Sequence, residues 1–243
     1  MFFTKKNFVF LMLNCLVGSI FNSVLASTLF DNTEFSIAAG PSRIQTNNSQ
    51  LFISPYETDS LLVNHLTNSI SEKIGVGKKF LNRFLIELNL YRDSGSINGN
   101  VLQFQLPQFN NYTFQQTVHT TRFMADLKPD LFLWKNISPY PILGLGMAWS
   151  DVNYNETLTN NDMDAASAIS LSSKRNSNFA YDLGFGLRVG LTQKMSASLE
   201  YIYTHIGNVS AANSLQNGLR VMSSPIFTIR NQSILCGIIF KLG

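Results

Sequence analysis

Cysteine, charge and long apolar runs are all scarce in this sequence, and each scarcity excludes something. Of 243 residues only Cys15 and Cys236 are cysteines. Cys15 lies in an N-terminal segment expected to be removed, and the one remaining thiol forms no internal disulfide, so covalent staples do not hold the fold even in an oxidising compartment. No stretch after Ala26 approaches the roughly twenty consecutive apolar residues of a membrane-spanning helix. Nor is there zinc-like spacing of Cys and His, a glycine-rich loop leading into a helix, or a basic patch with interleaved aromatics. No cofactor, metal or nucleic acid is therefore expected. Charged residues make up 14% of the chain, yet 45% of it is hydrophobic, and that combination calls for an explanation.

The N-terminus supplies a first part of it. Lys5 and Lys6 give a positive start, Phe8 to Val17 is mostly apolar, and Val24, Leu25 and Ala26 offer a small-residue cleavage site. These features predict a secretory signal peptide over residues 1–26 and a single mature domain over 27–243. An uncleaved anchor is the competing reading, but Asn14, Gly18, Ser19 and Asn22 interrupt the run, which is short for a spanning helix. Asn14 also stands where a lipoprotein site before Cys15 needs a small residue. Removing Lys5 and Lys6 from the 18 basic residues leaves 16 against 15 acidic ones, a net charge of +1 that does not favour nucleic acid.

Nineteen phenylalanines and eight tyrosines, with glycines scattered inside apolar stretches, suit strands better than helices. The period confirms it. In FAYDLGFGLRVGL the odd positions carry Phe179, Tyr181, Leu183, Phe185, Leu187, Val189 and Leu191, while the even ones carry Ala180, Asp182, Gly184, Gly186, Arg188 and Gly190. A soluble sandwich would bury the greasy face and show the other to water, where so many glycines are unusual. In a narrow membrane barrel the greasy face meets lipid, and the small or charged side chains fill the lumen.

The same alternation recurs in Phe84–Tyr91, in Thr121–Leu133, where Pro129 must mark a bulge, a break or an unneeded donor, and in Tyr140–Trp149. Further strands are expected at Glu34–Ser42, Ser69–Phe80, Ser196–Thr204 and within Ile226–Leu242. The fold class predicted is all-β, a single antiparallel transmembrane β-barrel of about eight strands. Connections alternate between tight ones at 81–83, 135–138 and 192–194 and long Asn/Ser-rich ones at 44–68, 93–115, 151–178 and 206–224, the latter expected to be mobile surface loops. Asn155–Thr157 and Asn208–Ser210 match the glycosylation triplet, as chance provides in so Asn-rich a chain.

The terminal stretch LCGIIFKL, with Gly237, Phe240 and Leu242, resembles the carboxy-terminal signal read by bacterial barrel-assembly machinery. Leu235 stands where that pattern has a polar residue, and an extra Gly243 follows. Together with SPYPILGLGMAW and FAYDLGFGLRVGLTQKMSASLEYIYTHIGN, it resembles the opacity-type and OmpA-like eight-stranded outer-membrane proteins of the porin family. That resemblance implies residence in the bacterial outer membrane, contact with outer-membrane lipid and lipopolysaccharide, and dependence on the assembly machinery. It implies no task, since fold analogy does not supply function.

On the inferred lumen face lie Glu87, Arg122, Asp126, Lys128, Asp130, Asp182, Arg188, Glu200 and Lys241, with both signs in similar number. They are expected to form an interior ion-pair network, because an eight-stranded barrel is just wide enough for its side chains to fill and buried charges are tolerable only when paired. The histidines His65, His119 and His205 fall near the loop end. The run from His205 to Asn208 resembles a motif of outer-membrane lipid A deacylases, but Gly207 occupies the nucleophile's place and cannot transfer an acyl group. No catalytic residue is assigned. The expected function is a structural or surface-interaction role, in adhesion, shielding or envelope integrity, with a host or surface ligand at the loops. A small-solute channel and a lipid-modifying enzyme are the alternatives.

Overall fold

The computed structural model describes residues 32–242 apart from 48, 55–56, 66–67, 82, 111, 160–167 and 215–220. The expected signal peptide therefore lies outside the described residues. Ten strands follow one another: β1 (Thr33–Gln45), β2 (Ser49–Ser54), β3 (Glu57–His65), β4 (Asn68–Phe80), β5 (Phe84–Leu102), β6 (Tyr112–Pro129), β7 (Ile137–Leu158), β8 (Ser170–Gly190), β9 (Met195–Ser210) and β10 (Ile226–Leu242). Eight of them close on themselves in the order β5-β4-β1-β10-β9-β8-β7-β6, with β6 pairing back onto β5. Closure leaves no open edge in the barrel, the condition for strands to cross lipid.

The two extra strands were not expected. β1 ends at Gln45, opposite Arg230 of β10, and β4 begins opposite Arg43, so both stop well below the tops of their neighbours. The β2–β3 hairpin takes their place. β3 pairs with the upper end of β5, from Ser60 opposite Leu102 to His65 opposite Asn98. β2 reaches the segment before β10 through Phe52 and Ser223, which exchange N–H···O bonds of 3.3 and 3.1 Å.

Three of the four long polar segments thus prove to be largely strand. β7 has 22 residues and β8 has 21, whereas a tilted strand needs only about 9–11 to cross the hydrocarbon. About half of each strand therefore stands beyond the lipid, and 44–68 holds the extra hairpin, whereas in the fourth segment, 206–224, only Ile206–Ser210 continues a strand. The segments were taken for loops because Asn, Ser and Thr dominate them; the ladder hydrogen bonds ignore side-chain type.

At the other end the turns are short. The alternation from Thr121 was expected to continue to Leu133, but β6 stops at Pro129, which has no N–H for the ladder. Asp130 instead donates its N–H to the Arg83 carbonyl at 2.7 Å, and Leu131 donates to Pro139 at 3.0 Å. Leu131, Phe132, Leu133 and Trp134 form an exposed apolar turn, Leu133 being 75% exposed. This connection, 130–136, is longer than the one expected at 135–138; the tight element inside it is the Trp134–Ile137 bridge.

Outward-facing side chains in the lower half are apolar, among them Ile37, Ile74, Leu88, Phe123, Leu145, Leu183 and Ile238. Tyr201, Trp149 and Phe179 stand near the top of this band and Phe80, Phe84 and Trp134 at its foot, as aromatic girdles do.

Candidate functional site

The lumen is the feature that needs explaining, because it is filled twice over, by different chemistry at two heights. In the lower tier Arg122 of β6, whose side chain is fully buried, ties three other strands together. Its Nε donates to Asp93 of β5 at 2.9 Å, its Nη1 to Asp182 of β8 at 3.0 Å and to Thr204 of β9 at 2.6 Å. The guanidinium also lies 4.4 Å from the centre of the Tyr91 ring. Asp93 is further held by Asn231 of β10 at 2.9 Å and by the Ser71 hydroxyl.

Below this cluster, Glu200 accepts from Lys73 at 2.6 Å, Lys128 at 2.8 Å and Tyr140 at 2.9 Å. Lys128 also bonds Glu87, which lies 3.7 Å from Lys73 and accepts from Ser36 at 2.6 Å. Lower still, Arg188 pairs with Glu34 at 3.1 Å. Asp126 has no cation in contact among the described residues; its Oδ2 accepts from Asn89 at 2.7 Å and Tyr91 at 2.9 Å.

Ion pairs this dry are tolerable because opposite charges meet and Arg122, Lys128 and Glu200 each have two or more partners; a partner removed would leave a buried charge unmet. The shared face of small residues seen in the sequence has its reason here. A Cβ at Gly186 would sit 2.4 Å from the Tyr140 ring, and one at Gly144 2.2 Å from an Asp126 oxygen. The glycines make room for the large polar side chains opposite them.

Of the nine expected network residues, Glu87, Arg122, Asp126, Lys128, Asp182, Arg188 and Glu200 are buried in the lumen. Two are not. Asp130 belongs to the turn after β6 and pairs with Lys79 at the rim, at 2.9 Å. Lys241 has the lumen-facing parity, opposite Glu34, but lies next to the end of β10, where the mouth opens to water, and its side chain is exposed with no ion pair among the described residues. Sequence reasoning missed Glu34, Lys73, Lys79 and Asp93. Lys73 shares a parity with Ser71, Gly75 and Gly77, the same small-and-polar face that marked the other strands, so the signal was there. Asp93 was assigned to a loop because the alternation was followed only to Tyr91, eleven residues short of the end of β5 at Leu102.

The upper tier is apolar inside. Phe114 stacks on Tyr154 with centroids 5.7 Å apart and leans on Phe227 at 6.3 Å. Leu51 and Leu61 of the hairpin join Ile97, Val101, Val152, Leu171 and Val209 in one continuous core. Tyr154 donates to Glu156 at 2.6 Å, and burial, reinforced by that carboxylate, pushes its phenol well above the usual tyrosine range.

The histidines are not gathered. His119 Nδ1 is 2.8 Å from Ser94 Oγ on the outer surface of β5 and β6, His205 stacks on Tyr181 with centroids 5.1 Å apart, and His65 closes β3. Gly207, where a nucleophile was sought, is a bulge residue: Ile206 is the extra residue in the β9–β10 register, and Gly207 has φ +92°, a left-handed backbone that only glycine adopts at little cost.

An antiparallel barrel closed by eight strands, greasy outside and filled within, defines a transmembrane β-barrel protein. The chain belongs to the outer membrane protein beta-barrel domain family, whose profile matches residues 46–222. It resides in the bacterial outer membrane. Its fold is similar to that of the outer membrane protease OmpT from Escherichia coli, with TM-score 0.54 and 8% identity over 87% of this chain and 97% of that one. It is also similar to the outer membrane protein OprG from Pseudomonas aeruginosa, with TM-score 0.50 and 15% identity over 85% and 95% of the two chains. No curated protein matches in sequence.

Gly237, Phe240 and Leu242 sit on β10 where it meets β1: Phe240 is paired with Phe35, and a Cβ on Gly237 would lie 2.6 Å from that of Ala38. They line the seam at which the barrel closes.

Proposed function

We propose that the protein is a non-conducting, non-catalytic barrel that holds an interaction surface outside the cell. The observation that carries this reading is the doubly filled lumen: Arg122 crosses it in the lower tier, and the Phe114–Tyr154–Phe227 cluster fills it above. A solute would have to break both. What the structure spends its length on is the upper tier, where strands run on past the lipid and two short 3-10 turns, Gln103–Gln105 and Pro107–Phe109, lift Phe104, Leu106 and Phe109 into solvent. Exposed aromatic and aliphatic side chains on a rigid support suit contact with another surface. The barrel-assembly machinery is the partner expected during biogenesis, through the β10 seam.

Two measurements test this. In planar bilayers the purified protein should give no stable conductance steps; steady steps would establish the channel reading instead. Bacteria displaying the protein should adhere to epithelial monolayers, and a variant carrying Phe104→Ser, Leu106→Ser and Phe109→Ser should lose most of that adhesion. Equal adhesion by the variant overturns the interaction surface.

A further inference from the structure

Immediately above the lipid-facing band runs a ring of outward polar side chains. On β4, β5, β7 and β8 it includes acidic side chains beside the cations, and Lys174 of β8 donates to the Ser210 hydroxyl at 3.0 Å. Arg92 of β5 stands opposite Glu72 of β4, and Arg175 of β8 makes two bonds, of 3.0 and 3.1 Å, to Asp151 of β7. On β1, β10 and β9 the pattern breaks. Arg43 and Arg230 are exposed and have no carboxylate partner among the described residues.

The register gathers them. Arg230 is directly opposite His205, and Arg43 is opposite Gln232, which makes it the diagonal neighbour of Arg230. Direct and diagonal pairs on one face are about 5 Å and about 7–8 Å apart. Arg230 and His205 are the last pair in the register that β9 and β10 keep from Met195 and Phe240 upward, and the bulge at Ile206 and Gly207 begins immediately above them. His205 is steadied by its stack on Tyr181.

What lies below and above the three residues narrows the ligand. Further down the same outward faces of β1 and β10 are Ile234, then Ile37 and Ile238, each between 44% and 49% exposed, in the part of the wall that meets acyl chains. Directly above is a rigid patch of amides and a hydroxyl. Thr228 donates its N–H to Asn47 at 2.8 Å and its hydroxyl to Asn208 at 2.7 Å, and Asn178 donates to the Asn208 carbonyl at 2.8 Å.

We infer that Arg43, Arg230 and His205 form a binding site for the phosphorylated sugar headgroup of an outer-leaflet glycolipid, with its acyl chains on β1 and β10 and its sugar hydroxyls against Asn47, Asn208 and Thr228. Two guanidinium groups suit a phosphate better than they suit each other, because unpaired like charges this close repel until an anion lies between them. The site requires only the outer-membrane location and is independent of the interaction surface proposed above.

The test uses the folded, full barrel in nanodiscs and diphosphorylated lipid A as probe, with retention read by native mass spectrometry. Wild type should retain lipid A, and the pair R43Q/R230Q should bind it about tenfold more weakly. The pair R92Q/R175Q removes equal charge from β5 and β8, where Glu72 and Asp151 stand beside the cations, and should bind like wild type. Heat-modifiable gel mobility verifies that all three are folded. Lipid A stripped of its phosphates should be lost, and millimolar glucosamine phosphate should fail to displace the intact lipid. Equal retention by R43Q/R230Q, or equal retention of the dephosphorylated lipid, overturns the site; full displacement by the free sugar phosphate overturns its lipid-anchored character.

Discussion

The lower and upper tiers of this barrel are built by the same strands and have opposite interiors. Along β6 the inward side chains read Lys128, Asp126, Met124, Arg122 and Thr120, then change to Val118, Gln116, Phe114 and Tyr112. The outward ones change the other way at the same height, from Leu127, Ala125 and Phe123 to Thr121, His119, Thr117 and Gln115. β5 and β7 repeat the exchange, with Arg92 and Asp151 the first outward polar residues. The side-chain period never slips; only the chemistry of the two parities is swapped. Where lipid lies outside, apolar groups face out and the polar interior survives by pairing. Where water lies outside, the hydrophobic effect draws the apolar groups in. One strand thus obeys two solvents, and the height of the exchange marks the membrane boundary.

The comparison can be broken most severely at Arg122. Arg122→Met leaves Asp93 and Asp182 buried without their cation and should lower stability by about 3–5 kcal/mol, seen as a large fall in the urea midpoint of the whole barrel in micelles. In the upper tier Phe114→Ala removes the centre of the apolar core at a cost of roughly 3–4 kcal/mol. The loss should be confined: limited proteolysis is expected to cut the upper strands while the membrane tier stays protected. Simultaneous digestion of both tiers would show that they fold as one unit.

Substitutions on one strand sharpen the boundary itself. Leu145→Lys puts a charge on the lipid face and should cost about 2–4 kcal/mol. Gly207→Ala keeps the bulge only by forcing a left-handed residue, at roughly 1–2 kcal/mol, and should loosen the Gly207–Ile229 pairing at the top of β9 and β10. Asn153→Lys, eight residues above Leu145 on the same outward parity, should change stability by less than about 0.5 kcal/mol. If the two lysine variants were equally destabilised, the upper tier would have to lie within the bilayer.

Most of the membrane tier was legible in the sequence, because alternation with a greasy parity and a small-or-charged parity is a local pattern. Phe179–Leu191 and Tyr140–Trp149 carried it without ambiguity, and seven of the nine residues placed in the lumen are there. The upper tier was not legible by the same rule. In YTFQQTVHTT the apolar residues Tyr112, Phe114 and Val118 occupy the parity that is polar lower down, so a search for a continuous lipid face ends at Thr121, and the stretch up to Gln115 reads as part of a loop. The β2–β3 hairpin left still less trace, since its place in the wall depends on β1 and β4 ending early.

By itself the sequence determined the class of fold, the strand faces and the polar nature of the inner wall, since these follow from period and composition within each strand. Tertiary structure alone decided which charge meets which. Arg122, Asp93, Asp182 and Thr204 come from four strands, and Lys73 and Glu200 are 127 residues apart. Their pairing depends on the relative stagger of all eight strands on closure. The unmatched Arg43 and Arg230 became neighbours for the same reason, because register is a property of the closed barrel and not of any single strand.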